Sequence, residues 1–450
     1  MNRLRSVWKT WREDRLLGQV VRNSGYLFSS STVTMVLGFV QGILAARLLG
    51  VTLFGVLGIV TVFSSNLHRL FSFRMGEVVV KYLGDFLIQK RTDRAAAVVK
   101  VSILVEAASA LLAFLVLVLL APLAAVLFAE DARTTPLFII YGVSILGNLF
   151  SETAIGVLQV SREFRAQAIL NVMQSVLTAG MIAWAYFTHG DLMLVLVAYL
   201  AGKLILSIGP SFLALRTLNR MLGVGWWQAP LSLLPPRREL LRFATSTNLI
   251  GTLKLVVRDS ELLWVSYFLS PTESGYYKVA LSIINLVMIP ITPLINTTYP
   301  EITHSVANRA WKQLRLLLKR VTIIAGGWTV ACAVGLLLFG NWIILFYGEE
   351  YAPGLPAAFI LLIGYGLSST FFWNRTLLLG FNQPVYPVVI SAITGLLKIL
   401  LTFLLVPGFG YLMQSALLSA YFAVSIGLTV WRGMNEIRQA ELHSPQVEPV

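Results

Sequence analysis

Aliphatic and aromatic residues follow one another along this chain in runs of about 20, and short polar segments separate the runs. Twenty residues is the length a helix needs to cross a hydrocarbon core ~30 Å thick. The pattern predicts twelve spans. The first six fall near 24–46, 54–76, 97–120, 135–157, 166–188 and 192–215. After a polar interval, six more fall near 243–268, 276–298, 319–340, 355–378, 386–406 and 410–431. Gly50, Pro122, Asp191, the Pro235-Pro236 pair, Pro271, Pro353 and the Pro407-Gly408 turn mark the breaks. The fourth and tenth runs carry more polar residues than the rest. An outer-membrane barrel would instead alternate in ~10-residue segments. The expected fold is therefore all-α, a polytopic membrane protein with about 12 transmembrane helices.

Sliding the chain on itself by 220 positions brings its halves into register. Arg22, before span one, falls on Arg242 before span seven. The turn Leu49-Gly50-Val51-Thr52-Leu53-Phe54-Gly55 falls on Leu269-Ser270-Pro271-Thr272-Glu273-Ser274-Gly275. Lys100 falls on Arg320, and Pro136 on Pro356. Six spans per half is an even number, so both halves enter the membrane in the same direction and form a parallel repeat of two six-helix lobes. The expected organisation is a cytoplasmic amphipathic segment at 1–22, an N-lobe at 23–215, a linker at 216–241, a C-lobe at 242–432 and a tail at 433–450. In the first segment Leu4, Val7, Trp8 and Trp11 recur at helical spacing opposite Arg5, Lys9 and Arg12, as in a helix lying on a membrane surface. That segment lacks the short apolar core and small-residue site of a cleavable signal peptide.

Charge sets the orientation. The intervals at the ends of even-numbered spans, with the two termini, hold 27 of the 35 Lys and Arg residues, and such loops stay in the cytoplasm. The opposite loops carry mainly acids: Glu130, Asp131, Asp191, Glu273, Glu349 and Glu350. Both termini are thus expected inside. The net charge of +14 is dispersed over many short loops, so topology rather than nucleic acid accounts for it.

Composition agrees with the pattern: 57% of residues are apolar and 12% charged, against roughly 45–50% and 25% in soluble domains. The single cysteine, Cys332, excludes an intramolecular disulfide. No phosphate-binding Gly-x-x-x-x-Gly-Lys-Ser/Thr loop is present, and His68, His189, His304 and His443 are too scattered to suggest a metal site. The loops are too short to house an enzyme. No enzymatic activity, cofactor or metal is expected.

The remaining chemistry is charge inside the spans, where each ionisable residue facing lipid costs roughly 2.5–3.5 kcal/mol. Span seven contains Lys254, Arg258, Asp259 and Glu261, and Lys254, Arg258 and Glu261 share one stripe of an α-helix. That stripe must face a wet cavity or pair internally. Lys203 lies in span six, Arg375 in span ten, Lys398 in span eleven, and Lys278 begins span eight. The acids are fewer, Glu106 and Glu152 in the first half. A surplus of intramembrane cations suits an anionic ligand such as a pyrophosphate. Lys203, Lys254, Arg258, Arg375 and Lys398 are the candidate substrate-binding residues. Asp259 and Glu261 are candidates for ion coupling or pairing, and His68 and Arg69 for the cytoplasmic mouth.

The segment Asn23-Ser24-Gly25-Tyr26-Leu27-Phe28-Ser29-Ser30-Ser31-Thr32 resembles the start of bacterial polysaccharide repeat-unit flippases. The turn Ala46–Gly55 is similar to that group's R-x-L-G-x-x-x-(F/Y)-G turn, with one extra leucine at Leu48-Leu49. Leu269–Gly275 and Leu345–Tyr351 match as well, and the resemblance covers about residues 20–435. The group lies in the multidrug/oligosaccharidyl-lipid/polysaccharide exporter superfamily. The resemblance implies two lobes arranged as a V, alternating access, and export of undecaprenyl-pyrophosphate-linked sugars across the bacterial cytoplasmic membrane. It also implies a cationic cavity formed mainly by the first two helices of each lobe. Span seven fits that role, whereas span one has no charge between Arg22 and Arg47. Two further helices of the peptidoglycan-precursor flippases are absent, which favours the polysaccharide branch. The implied partners are the bilayer, the lipid-linked glycan, and the glycosyltransferases and polymerase of the same pathway. An ion-coupled exporter of drugs or organic cations has the same architecture, and a non-transporting accessory protein of a glycan-synthesis complex is the other alternative.

Overall fold

A computed structural model of the chain describes residues 15–234, 251–287 and 291–442. Among the described residues the apolar runs fold into helices. The first half holds α1 (Arg15–Phe71), α2 (Met75–Ile88), α3 (Thr92–Ala129), α4 (Thr135–Gly147), α5 (Ser151–Val160), α6 (Phe164–Phe187) and α7 (Leu192–Leu222). The second holds α8 (Glu261–Phe268), α9 (Pro271–Val287), α10 (Ile291–Ala307), α11 (Trp311–Tyr347), α12 (Gly354–Thr370), α13 (Asn374–Gly380) and α14 (Val385–Leu442). No strand occurs among the described residues.

At 57 and 58 residues, α1 and α14 would each run about 85 Å if straight, nearly three times the core of a bilayer. Each contains one non-helical residue, Gly50 (φ 69°, ψ 173°) and Gly410 (φ 73°, ψ −169°). A positive φ is a conformation that a Cβ makes costly, so glycine stands where each helix divides. Among the described residues, eight helical stretches are long and apolar enough to cross a membrane. Two of them divide at Gly50 and Gly410, and the helices on either side of Pro271 lie in the runs read as spans seven and eight, consistent with about twelve crossings. The protein is a multi-pass membrane protein. Leu111, Leu115 and Leu119 of α3 lie four residues apart and are exposed, an apolar face of the kind that lipid covers.

The chain forms two compact units. The first comprises Met1–Leu48, Phe63–Ala125 and Asp131–Thr252; the second comprises Leu49–Val62, Val126–Glu130 and Leu253–Val450. In the first unit α7 packs on α4, α5 and α6, and α2 packs on α5. The interval after span two, read as polar from its basic residues, contains α2. This helix buries Val78, Val79, Tyr82, Leu83 and Phe86 while Lys81 stays exposed. Its apolar face joins Val98, Val99, Val157, Leu158 and Leu218 in one core. At 14 residues, with Glu77, Lys81 and Asp85 on its outer face, this helix is too short and too charged to register as an apolar run. The predicted surface helix at 1–22 is described only from Arg15, where it is continuous with span one; Leu4, Val7, Trp8 and Trp11 lie outside the described residues.

In the second unit α12 packs on α9, α11 and α14. Here residues 220 apart meet. Thr52 and Thr272 share a hydrogen bond of 2.8 Å between their hydroxyls. A Cβ built on Gly55 would lie 1.9 Å from the Pro271 carbonyl oxygen, and one built on Gly275 would lie 2.3 Å from that of Val51. Val51 and Gly55 are the repeat partners of Pro271 and Gly275, so the two contacts are reciprocal. Gly55→Ala and Gly275→Ala are each expected to cost about 1–3 kcal/mol or more, because backbone must separate to admit the methyl group. Thermal unfolding of the detergent-solubilised variants checks this, and unchanged midpoints would show that the two segments are not held this close.

The fourth span of each half is broken. Residues 148–150 separate α4 from α5, and 371–373 separate α12 from α13. These are the two runs whose polar content stood out in the sequence.

Candidate functional site

Span seven departs from the α-helix on which its stripe was drawn. Leu255–Asp259 form a π turn, in which Ser260 N–H donates to the Leu255 carbonyl at 2.9 Å, five residues back. The extra residue shifts the phase of everything that follows, and such turns recur at functional sites. Lys254 is exposed, Arg258 half-buried, and Glu261 only 1% exposed. Lys254, Arg258 and Glu261 therefore do not form the single stripe expected.

Glu261 is the centre of a polar cluster drawn from four segments. Its Oε1 forms an ion pair with Nζ of Lys398, itself 3% exposed. Oε2 accepts hydrogen bonds from the Tyr277 hydroxyl at 2.8 Å and from Gln414 Nε2 at 2.9 Å. Lys398 Nζ also donates to the Val257 carbonyl, inside the π turn, at 3.2 Å. Thr402 Oγ1 donates to Gln414 Oε1 at 3.2 Å. Lys398 and Gln414 lie on opposite sides of Gly410 in α14, so the cluster ties both limbs of that helix to α8 and α9. A buried charge must be paired and hydrogen-bonded to be tolerated, and this pair is both.

Arg258 is held differently. Its guanidinium carbon lies 5.3 Å from the Tyr365 ring centroid and 5.4 Å from that of Phe422. The two rings meet edge to face at 5.0 Å. Aromatic faces stabilise a cation without neutralising it. No carboxylate lies within ion-pair distance of Arg258 among the described residues. Asp259, its neighbour, is half-buried.

Arg375, at the start of α13, and Lys203, in α7, are exposed and form no ion pair among the described residues. Lys203 belongs to the first unit, where its charge and that of Arg69 both act on the His68 ring. His68 Nδ1 is buried without a hydrogen-bond partner among the described residues. The structure thus brings together His68, Arg69 and Lys203 in one unit. In the other it joins Glu261 to Lys398 and sets Arg258 close by.

The acids of the first half serve a purpose that the sequence did not disclose. Glu106 Oε1 accepts the backbone N–H of Glu152 at 2.6 Å, and Oε2 that of Thr153 at 2.9 Å. These are donors that a helix start leaves without partners, and the negative charge sits at the favourable end of the α5 dipole. Glu152 in turn accepts from the Ser72 hydroxyl at 2.7 Å. Neither acid forms an ion pair among the described residues. A carboxylate in one span and a polar break in the next were the available signals, but only their proximity links them.

The polysaccharide biosynthesis protein family matches residues 20–306. The inner membrane protein YghQ of Escherichia coli K12 is 23% identical over 351 residues, covering 76% of this chain and 96% of that protein. Among solved structures, an inward-facing MATE multidrug resistance transporter of the MOP superfamily superimposes with a TM-score of 0.73 at 16% identity, covering 92% of this chain and 96% of the other. The lipid II flippase MurJ, in an inward closed conformation, gives 0.68 at 14% identity, covering 92% and 90%. A MOP superfamily transporter from Pyrococcus furiosus, described as having a binding pocket of reverse polarity, gives 0.65 at 16% identity, covering 94% and 96%. These likenesses carry the fold, that of the MOP-superfamily transporters, and the family match extends over more than half of the chain. The chain belongs to the polysaccharide biosynthesis protein family.

Proposed function

We propose that this protein is a flippase that moves undecaprenyl-pyrophosphate-linked oligosaccharides across the bacterial cytoplasmic membrane by alternating access, for polysaccharide biosynthesis. The observation that carries the reading is the set of intramembrane cations without acids. Lys398 is neutralised by Glu261, whereas Lys203, Arg258 and Arg375 have no ion-pair partner among the described residues. A cation in a low-dielectric region attracts an anion strongly, and a guanidinium matches phosphate oxygens in a bidentate fork. Arg258 is the principal pyrophosphate ligand in this reading. Lys254, Lys203 and Arg375 assist, and His68 and Arg69 guard the cytoplasmic entrance. The sugar and pyrophosphate travel through the hydrated path while the polyprenyl tail stays in lipid. The membrane potential or an ion gradient supplies the energy, and no covalent chemistry is involved. Membership of a polysaccharide biosynthesis family and the shared fold with a lipid II flippase support this reading.

The likeness to MATE multidrug transporters favours a second reading, export of organic cations. Arg258 opposes it, since a cationic ligand would be repelled. Proteoliposomes containing the purified protein separate the two. Movement of a fluorescent polyprenyl-pyrophosphate oligosaccharide between leaflets is the expected result. Efflux of an organic-cation dye without lipid movement would overturn the proposal, as would stable co-purification with glycosyltransferases and no movement of either substrate.

The same reading fixes topology, with lobes at 23–215 and 242–432 joined by a cytoplasmic linker at 216–241. Reporter fusions at Asp191, Glu273 and Glu349 are expected outside, and fusions at Arg91, Arg238 and Arg315 inside. Any one on the wrong side would break the parallel six-plus-six arrangement.

A further inference from the structure

The tail of a lipid-linked substrate needs a path along the protein as well as the head group. The first unit contains a groove of about 700 Å³ between the early part of α1 and α6. Arg165, Ile169, Val172 and Val176 of α6 line one wall, with Ser30 and Val33 of α1 opposite. The lining of α6 runs from Arg165 to Leu177 at helical spacing, a stripe roughly 18 Å long at 1.5 Å per residue. The groove is apolar and open along one side, and Ile169, Val176 and Val33 are exposed in it. Its walls are stitched together beyond that end of α1 by Gln41, whose Nε2 donates to the Ser175 carbonyl at 2.8 Å.

Charge is confined to one end. Arg165 is exposed and makes no ion pair or hydrogen bond among the described residues. The adjacent acid, Glu163, pairs instead with Arg220 at 3.3 Å. An unneutralised guanidinium at one end of an open apolar groove complements a ligand with a phosphate at one end and a long hydrocarbon chain behind it. Bilayer lipid also covers apolar surface, so the charge at one end, rather than apolar burial, is what selects a phosphate-bearing chain.

We propose that the groove between α1 and α6 is the binding site for the phosphate-proximal part of a polyprenyl chain, with Arg165 holding the lipid phosphate. The identity of the chain rests on the flippase reading; the site rests on the groove and its lone charge.

Full-length protein in liposomes is irradiated with a diazirine-bearing undecaprenyl phosphate, and the adducts are mapped by mass spectrometry. Adducts are expected on 164–177 and 29–33. Unlabelled undecaprenyl phosphate should displace them, whereas phosphatidylglycerol should not. Val172→Trp, and the more conservative Ile169→Trp at an exposed position, fill the channel and should remove most of the labelling. Leu119→Trp, on the exposed face of α3, should leave it unchanged. Arg165→Gln should weaken displacement by undecaprenyl phosphate about tenfold, the effect of losing a charged hydrogen bond. Adducts spread evenly over exposed faces, or equal displacement by phosphatidylglycerol, would mean ordinary boundary lipid and overturn the site. Flipping in the same liposomes separates the two proposals. Groove labelling without flipping removes the transport reading and keeps the site. Flipping with no groove labelling removes the site alone.

Discussion

Lys398→Met is expected to remove most of the folded protein, whereas Lys398→Met combined with Glu261→Gln is expected to restore it. In the single variant Glu261 keeps its negative charge at 1% exposure with only the neutral Tyr277 and Gln414 as donors. Breaking one side of a buried pair costs about 3–5 kcal/mol, while replacing both sides by neutral groups of similar shape is often nearly neutral. Marginal stability makes a loss of that size decisive. Fluorescence-detected size exclusion and thermal unfolding in detergent read the outcome directly. A well-folded Lys398→Met protein that has lost only transport would instead return Lys398 to the substrate path. In the parent protein three partners engage the two oxygens of Glu261. If it does couple to protons, flipping at a clamped membrane potential should vary with pH in the parent protein and lose that dependence in the restored double variant.

Arg258→Ala is the second large expected effect, and it runs the other way. Because no acid pairs with Arg258 among the described residues, its removal strands no buried carboxylate, and folded protein should remain near normal. Glycan export should fall on the order of 100-fold, the loss expected for two charge-assisted hydrogen bonds to phosphate. Arg258→Lys retains a point charge without the planar fork and should keep partial activity. Arg258→Glu should keep almost none, since a carboxylate repels the pyrophosphate. Export is measured in cells lacking the chromosomal copy, and protein level by quantitative blotting. Normal export from a well-expressed Arg258→Ala protein would remove Arg258 from the site. A fall in folded protein that a change at Asp259 or Glu261 repairs would assign it a structural role instead.

The membrane class, the number of spans and the 220-residue repeat were legible in the linear sequence because each follows from local quantities. Hydrocarbon thickness sets the length of an apolar run, and a duplicated fold keeps its turns at the same offset. The contact of Thr52 with Thr272 at 2.8 Å joins two positions that the repeat had already paired. Candidate ionisable residues could also be listed from the sequence, since charge inside an apolar run is conspicuous at any fold. Their roles could not. The π turn at Leu255–Asp259 is one residue of extra winding, and no local preference announces it, yet it moves Glu261 off the face of Lys254. Lys398 lies 137 positions from Glu261, and Gln414 lies 153 from it; neither partnership has any trace in spacing. Glu106 is legible in the sequence only as an acid inside a span, and the fold makes it the cap of a helix 45 residues further along. Local composition decides whether a segment enters the membrane, because the cost of burying each residue is nearly independent of the others. Which charge meets which depends on how helices distant in sequence come together, and only the tertiary structure decides that.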